Sequence, residues 1–287
     1  MSVGIFLIFR AFSHYNVVTI QAIVVNYFVC VITGIVFLGG AEFAAHFSFD
    51  LPWVWIAVTL GAIFIGTFYL MAMTTQRLGI TVASVASKMS LVIPVLVSLF
   101  ILQIASRPII GLNYLGITLA IAAIILSSIK KKKENKEQIK WSAFLMPILV
   151  FIFGGVIDTS INFVSHQYLT ASTEAIFPIV IFATAFSIGA VLLMIKGKQL
   201  QLKSIIGGTV LGIINYFSIY FLVKSLGAFG NDGAIVYPVV NVGIILISAL
   251  SSVAIFREKL SKINKIGLAV AILAVFLIFY QEIMAQL

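Results

Sequence analysis

Residues 111–117, GLNYLGI, return 151 positions later as residues 262–268, KINKIGL. Most letters differ, but two informative ones keep their places: Asn113 falls on Asn264 and Gly116 on Gly267. Working outward, the same offset carries residues 52–128 onto the second half of the chain. Gly61 meets Gly212, Tyr69 meets Tyr220, Gly79 meets Gly230 and Ala83 meets Ala234. Nearer the N-terminus the offset reads as 153, with Gln21-Ala22-Ile23 on Glu174-Ala175-Ile176 and Tyr15 on Tyr168. Leu, Ile and Val match by chance in any two apolar helices, so the weight lies on Gly, Asn and Tyr. A duplicated helical unit is a common ground plan of secondary transporters, with the binding site between the repeats near mid-membrane.

Composition supplies the solvent. Hydrophobic residues make up 62% of the 287 residues and charged residues 9%, against roughly 45–50% and about 25% in soluble domains. A bilayer core takes roughly 20 apolar residues per helix. About ten such segments are present, near 1–12, 17–39, 52–74, 80–104, 109–129, 142–165, 172–195, 204–226, 233–256 and 263–283. All are long enough to span except the first, which reads as a helix entered part-way along. It has neither the basic start nor the cleavage site of a signal peptide. The expected fold is therefore all-α and integral to the membrane, with ten helices in two five-helix repeats. These occupy residues 1–129 and 141–287, joined by the basic linker 130–140, KKKKENKEQIK. Five spans per repeat make the second repeat enter from the opposite side, so the repeats are inverted.

The net charge of +9 would suggest nucleic acid in a soluble protein. Here its distribution sets orientation instead, and no nucleic-acid partner is expected. Fifteen Lys and Arg residues lie in alternate loops and two, Arg107 and Lys224, in the others. The basic loops belong in the cytoplasm, which places both termini outside. Trp53, Trp55 and Trp141 start spans and read as interfacial anchors. The lone Cys30 lies in a span, excludes a disulfide framework and reads as an inert packing residue. His14, His46 and His166 fall in three different loops or loop ends, so no metal site is expected.

The end of the second repeat reads Phe256-Arg257-Glu258-Lys259-Leu260-Ser261, then Gly267. This resembles the join between the last two helices in the ten-helix EamA-type branch of the drug/metabolite transporter superfamily. In the first repeat Ser106-Arg107-Pro108 stands in the place of the acidic residue, so the motif is degenerate there. The resemblance covers essentially the whole chain. It implies a multi-pass protein of a bacterial cytoplasmic membrane, and it implies cytoplasmic termini, the reverse of the charge count.

Ionisable groups at membrane depth cost about 2.5–3.5 kcal/mol each on insertion scales, so those present need a reason. Lys88 lies in Ser84-Val85-Ala86-Ser87-Lys88-Met89-Ser90, and Asp158 in Gly154-Gly155-Val156-Ile157-Asp158-Thr159-Ser160. Lys88 reads either as a substrate or counter-ion contact or as an ammonium that snorkels to the interface, and Asp158 either as a substrate or proton site or as a structural ion pair with Lys88. Asp158, Asn162 and His166 are spaced by four and share one helix face. Glu174, at the start of the span 172–195, reads either as helix-start chemistry or as a cavity residue and second proton-coupling carboxylate. Asn26, Tyr27, Tyr69, Asn215, Tyr216, Tyr220, Tyr237 and Asn241 are the remaining substrate-binding candidates. Pro94 and Pro238 break the backbone ladder and read as gating hinges or static bends.

A cavity with one cation, one anion, amides and phenols suits a small amphipathic or zwitterionic metabolite, such as an amino acid. The leading expectation is a secondary transporter, in the export direction, working by alternating access with a proton as the candidate coupling ion. The small-molecule substrate and membrane lipid are the expected partners, and no cofactor is expected. The sequence GxxxxGK[ST] does not occur, so direct ATP use is not expected. The alternatives are a non-transporting membrane adaptor and an integral-membrane enzyme. The enzyme lacks a recognisable catalytic cluster.

Overall fold

Lipid offers the backbone no hydrogen-bond partner, so an apolar run in a bilayer satisfies its own N–H and C=O groups by coiling into helix. A computed structural model of the chain describes residues 2–94, 97, 110–129, 142–170, 172–197, 199–228 and 233–284, and no strand occurs among them. The helices are α1 Ser2–His14, α2 Thr19–Leu38, α3 Gly40–His46, α4 Pro52–Leu78, α5 Ile80–Met89 and α6 Gly111–Ser128. They continue with α7 Ser142–Gln167, α8 Ile176–Lys196, α9 Leu202–Ala228, α10 Gly233–Phe256, α11 Lys262–Ile278 and α12 Tyr280–Met284. Seven of the described helices (α2, α4 and α6 to α10) are long and apolar enough to cross a bilayer. The protein is all-helical and of the multi-pass membrane type.

Two expected segments depart from a single continuous helix among the described residues. The fourth is interrupted: α5 ends at Met89, Ser90 and Leu91 form a turn, and helix resumes at Val92. Pro94 explains the break. It has no N–H to give the carbonyl of Ser90 one turn back, and the amide of Ile93 takes that carbonyl at 2.9 Å instead. The last segment ends its main helix at Ile278, after 17 residues. Between α2 and α4, where a loop was expected, the short α3 carries Phe43 into a stack with Phe47, 5.2 Å between ring centroids. The linker 130–140 and Trp141 lie outside the described residues. Trp55 is exposed as an anchor should be, but Trp53 is 1% exposed. Its indole meets Phe177 edge-on at 5.8 Å. It is a core residue, because the helix face it occupies is turned toward α8.

The chain folds into two compact units. One holds residues 1–72 and 160–232, the other residues 73–159 and 233–287. Each unit takes residues from both halves of the chain.

In the first unit α2 runs parallel to α9. Ala22 O faces Gly208 and Asn26 O faces Gly212, so the register advances together on both helices. A Cβ on Gly212 would lie 2.6 Å from Asn26 O and 2.7 Å from Val29 Cβ. On the other side, a Cβ on Gly61 would lie 2.6 Å from Ile181 O and 2.6 Å from Thr184 Cβ. The two seams repeat one another: backbone oxygen first, then the β-branched residue three positions on. Where α2 crosses α8 the contacts are again reciprocal. Gly34 meets Ile179 and Tyr216, and Gly189 meets Val24 and Ile65. These contacts place α2 on α8 with an offset of 155 (189 − 34 and 179 − 24), while α4 and α9 keep 151 (216 − 65). The 153 offset drawn from Gln21 and Glu174 is therefore two residues short. Gln21 is a clamp: its amide donates to Gln199 O at 2.9 Å and accepts from Gln201 N at 3.1 Å.

The second unit has its own reciprocal pair, α6 and α11, which run antiparallel. Asn113 donates to Ile278 O at 2.7 Å, at the far end of α11. Asn264 donates to Ser127 O at 2.7 Å and Ile129 O at 2.9 Å, at the far end of α6. Each Asn also accepts from the backbone N–H at the start of its own helix, Ile110 or Ser261. One side chain thus caps its own helix and satisfies terminal carbonyls of its neighbour. Gly116 and Gly267 sit one turn further in, where a Cβ would strike backbone atoms of Ile278 and Ser127 at 2.8 and 2.6 Å.

Candidate functional site

The break in α5 lies in the second unit, and the two ionisable span residues gather around it. A break within a span creates a helix C-terminus away from bulk water, with carbonyls that want positive charge or donors. Lys88 sits in that last turn. Opposite it, α7 brings Asp158, whose Oδ2 is 2.8 Å from Ser90 Oγ. Lys88 and Asp158 lie within reach of one another's charge, and both are half-buried. Ser90 Oγ also lies 2.5 Å from Ser87 O.

Two glycines let α7 come this close. A Cβ on Gly154 would lie 3.2 Å from Ser90 Cβ, and one on Gly155 would overlap the Ile93 side chain. The arrangement holds one cation, one carboxyl and a hydroxyl at an opened backbone joint. Irregular backbone at membrane depth is tolerated where it is buried in protein or lines a cavity. Half-helix ends at such joints are used by transporters to hold charged groups. Sequence reading placed Lys88 and Asp158 but passed over Ser90. Its signal was present in the small-residue run before Pro94, four residues upstream of the missing N–H. Pro94 itself is buried.

The first unit carries a second polar group, fully buried along the α2–α9 seam. Asn215 donates to Asn26 Oδ1 at 3.2 Å. The Cys30 thiol donates to Gly212 O at 3.2 Å, which gives the cysteine a place in this network beyond simple packing. Tyr27, Asn26, Asn215 and Tyr216 are all 0% exposed. Tyr27 Oη, Tyr216 Oη and Asn215 Oδ1 have no hydrogen-bond partner among the described residues. Tyr27 stacks on Phe182 at 5.9 Å and Tyr216 on Tyr220 at 6.0 Å.

The other candidates are not drawn into either group. Tyr69 is 41% exposed. Asn162 belongs to the first unit and Asp158 to the second, although one helix carries both. Asn162 Oδ1 is buried with no partner among the described residues. Asn241 is buried on α10 of the second unit. Tyr237 and Pro238 lie in α10, which passes through Pro238 as continuous helix, and their side chains fall outside the described set. Glu174 does not cap a helix: the N-cap of α8 is Ala175, in helical conformation. The Glu174 carboxylate instead abuts Gly227 at the end of α9. Partial burial holds its pKa above the usual carboxylate range, and the Lys224 ammonium pulls it back down. Lys224 in turn donates to Tyr220 Oη at 3.4 Å and lies 5.6 Å from the centre of that ring.

The residues that carried the family resemblance turn out to do structural work. Both Glu258 carboxylate oxygens lie 3.3 Å from Ile80 N, at the N-terminus of α5. There the carboxylate answers an orphan N–H and the positive end of the helix dipole. Ser261 caps α11, accepting from Asn264 N at 3.1 Å.

No family model matches the chain. A protein of Haemophilus influenzae (strain ATCC 51907 / DSM 11121 / KW20 / Rd), described as uncharacterized, is 26% identical over 292 residues, covering 98% of this chain and 95% of that one. A solved crystal structure aligns with a TM-score of 0.60 at 13% sequence identity, covering 95% of this chain and 93% of its own. The fold is shared with a known protein over nearly its full length.

Proposed function

We propose that the protein is a secondary transporter of a bacterial cytoplasmic membrane. It moves a small amphipathic or zwitterionic metabolite by alternating access of two inverted five-helix repeats. The observation that carries this is the reciprocity of the helix contacts. Gly34 and Gly189, Gly61 and Gly212, and Asn113 and Asn264 make the same contacts with exchanged roles. Repeat mates α2 and α8, and likewise α6 and α11, run antiparallel, which is the relation expected of inverted repeats. Such a pair of repeats gives two pseudo-equivalent states that open to opposite sides. An adaptor has no use for that symmetry, nor for a carboxyl and an ammonium beside a broken helix.

Recognition falls to the α5 break. Lys88 suits a carboxylate on the substrate, and Asp158 suits an ammonium or a proton. The resemblance to EamA-type transporters agrees with this reading.

The test is thermal stabilisation of the purified protein against a panel of amino acids and related metabolites, with Lys88→Ala and Asp158→Asn alongside. A ligand that binds only the folded state adds about 2.7 kcal/mol of stability at a hundredfold excess over Kd. The expected result is a compound that stabilises the wild type and neither variant. A compound that stabilises all three equally would move the site away from the break.

A further inference from the structure

We propose that the segment between α2 and α4 is an interfacial anchor. Phe43, Phe47 and Phe49 sink to the boundary between acyl chains and headgroups, and the partner is zwitterionic lipid. Length places the segment. The 20 residues of α2 cover about 30 Å at 1.5 Å per residue, the thickness of a bilayer core. The chain therefore leaves the hydrocarbon at Leu38 and returns at Pro52, where α4, the next span, begins. Gly39 turns the corner. Its φ of 90°, open to glycine and strained for other residues, ends α2. Its carbonyl then accepts from Phe43 N at 3.1 Å as α3 begins.

Two kinds of side chain divide the segment. Phe43 and Phe47, four apart, stack with ring centroids 5.2 Å apart. Phe49 meets Phe47 edge-on at 5.1 Å. Among the described residues these three rings make ring contacts with one another and with no other ring. No residue of α3 is buried, and Phe49 is 70% exposed. An aromatic cluster left outside the core marks a surface that meets a partner or a membrane, and the flanking spans make the membrane the occupant. Trp55, 67% exposed at the start of α4, stands at the same edge of the bilayer. Beside the rings lie hydrogen-bonding groups. Glu42 and His46 pair at 3.2 Å, and Ser48 Oγ donates to Asp50 Oδ2 at 3.1 Å. A short helix with apolar and polar sides settles in the headgroup layer.

Charge selects the lipid. Residues 11–76 contain no Lys or Arg, while the segment carries Glu42 and Asp50. Anionic lipid is held by basic residues, and two carboxylates repel it, which leaves zwitterionic headgroups. The anchor holds the end of α2, the helix against which both α8 and α9 pack. It thereby fixes the first unit to one face of the bilayer. This rests on the membrane spans and not on the transporter reading.

Spin labelling of the full chain in phosphatidylcholine vesicles tests the anchor. Nitroxides are attached one at a time at Phe49→Cys, Phe43→Cys and Glu42→Cys. Cys30 is 0% exposed and stays unlabelled, and wild type carried through the labelling serves as the blank. Labels at 49 and 43 should collide more often with oxygen, which concentrates in lipid, than with a water-soluble nickel complex. The label at 42 should do the reverse. A preference for the nickel complex at 49 and 43 overturns the proposal, because the segment then stands in water. Poor access to both reagents, with dipolar broadening between labels, overturns it in favour of contact between copies of the chain. A label at 42 that matches the one at 49 also overturns it, since the segment then has no polar side. If Phe49→Cys does not fold, Phe43→Cys decides in its place. Replacing part of the phosphatidylcholine by phosphatidylglycerol should leave the collision rates unchanged. A deeper position on the anionic vesicles overturns the choice of zwitterionic lipid.

Discussion

The two helix seams of the first unit are alike in shape and opposite in chemistry. Along α2 and α9 stand Asn26, Tyr27, Cys30, Asn215 and Tyr216. Their repeat mates, by offsets of 155 and 151, are Ile181, Phe182, Ala185, Phe64 and Ile65. Both seams close over a glycine where an added Cβ would lie the same 2.6 Å from a backbone oxygen. The mates are all at most 6% exposed, so five apolar side chains fill their seam as well as five polar ones fill theirs. Packing therefore does not require the polar set. Polar groups in a buried seam cost desolvation, and those left without partners cost most. Their presence on one seam alone points to use rather than support.

Three measurements would break or sharpen this comparison. The largest effect belongs to the glycines. Gly61→Val and Gly212→Val each drive a Cβ into backbone, which cannot move aside as a side chain can. Each should cost about 3 kcal/mol, the upper end of overpacking, read as a fall in unfolding temperature in detergent. Equal losses support equivalence of the seams, and a loss at one glycine alone would end it.

The amides come next. Asn215→Leu strands Asn26 and should cost about 1–3 kcal/mol, whereas Asn26→Leu with Asn215→Leu removes both partners and should be near neutral. The double variant copies the apolar seam and should fold, and on the transporter reading its substrate flux falls. Two additive losses of stability would show that the amides are structural after all.

The smallest effect is at Glu174. Its raised pKa means that the native state holds the proton more tightly than the unfolded chain. Its contribution is thus full below the unfolded pKa and fades as pH rises through the folded one. Glu174→Gln should flatten that decline, with a difference within about 0.5 kcal/mol at neutral pH for a partly exposed group. A pH profile of stability unchanged by the variant would remove Glu174 as a titrating group.

The recurring positions were legible because glycines at helix contacts and asparagines at helix ends answer to local geometry. Gly116 and Asn113 recur as Gly267 and Asn264 since one side chain size and one amide solve both ends of the same crossing. The Glu258-Lys259-Leu260-Ser261 run was legible as a motif, but not its task. Glu258 caps a helix 178 positions away, and no local pattern announces such a distant N–H. Trp53 was misplaced for a similar reason. A Trp at the start of a span is usually interfacial, and only the approach of Phe177 turns this one inward.

By itself the sequence determined that the chain lives in lipid as helices, that Gly, Asn and Tyr positions of one half recur in the other, and that Lys88 and Asp158 need an explanation. These follow from transfer energies and residue size, which act position by position. The tertiary structure decided which residues share a site. It set Ser90 between Ser87 and Asp158, and it paired Asn26 with Asn215 across 189 positions. It also divided Asn162 from Asp158 between two compact units. Hydrogen bonds depend on distance and angle between atoms far apart in the chain, and only folding fixes those.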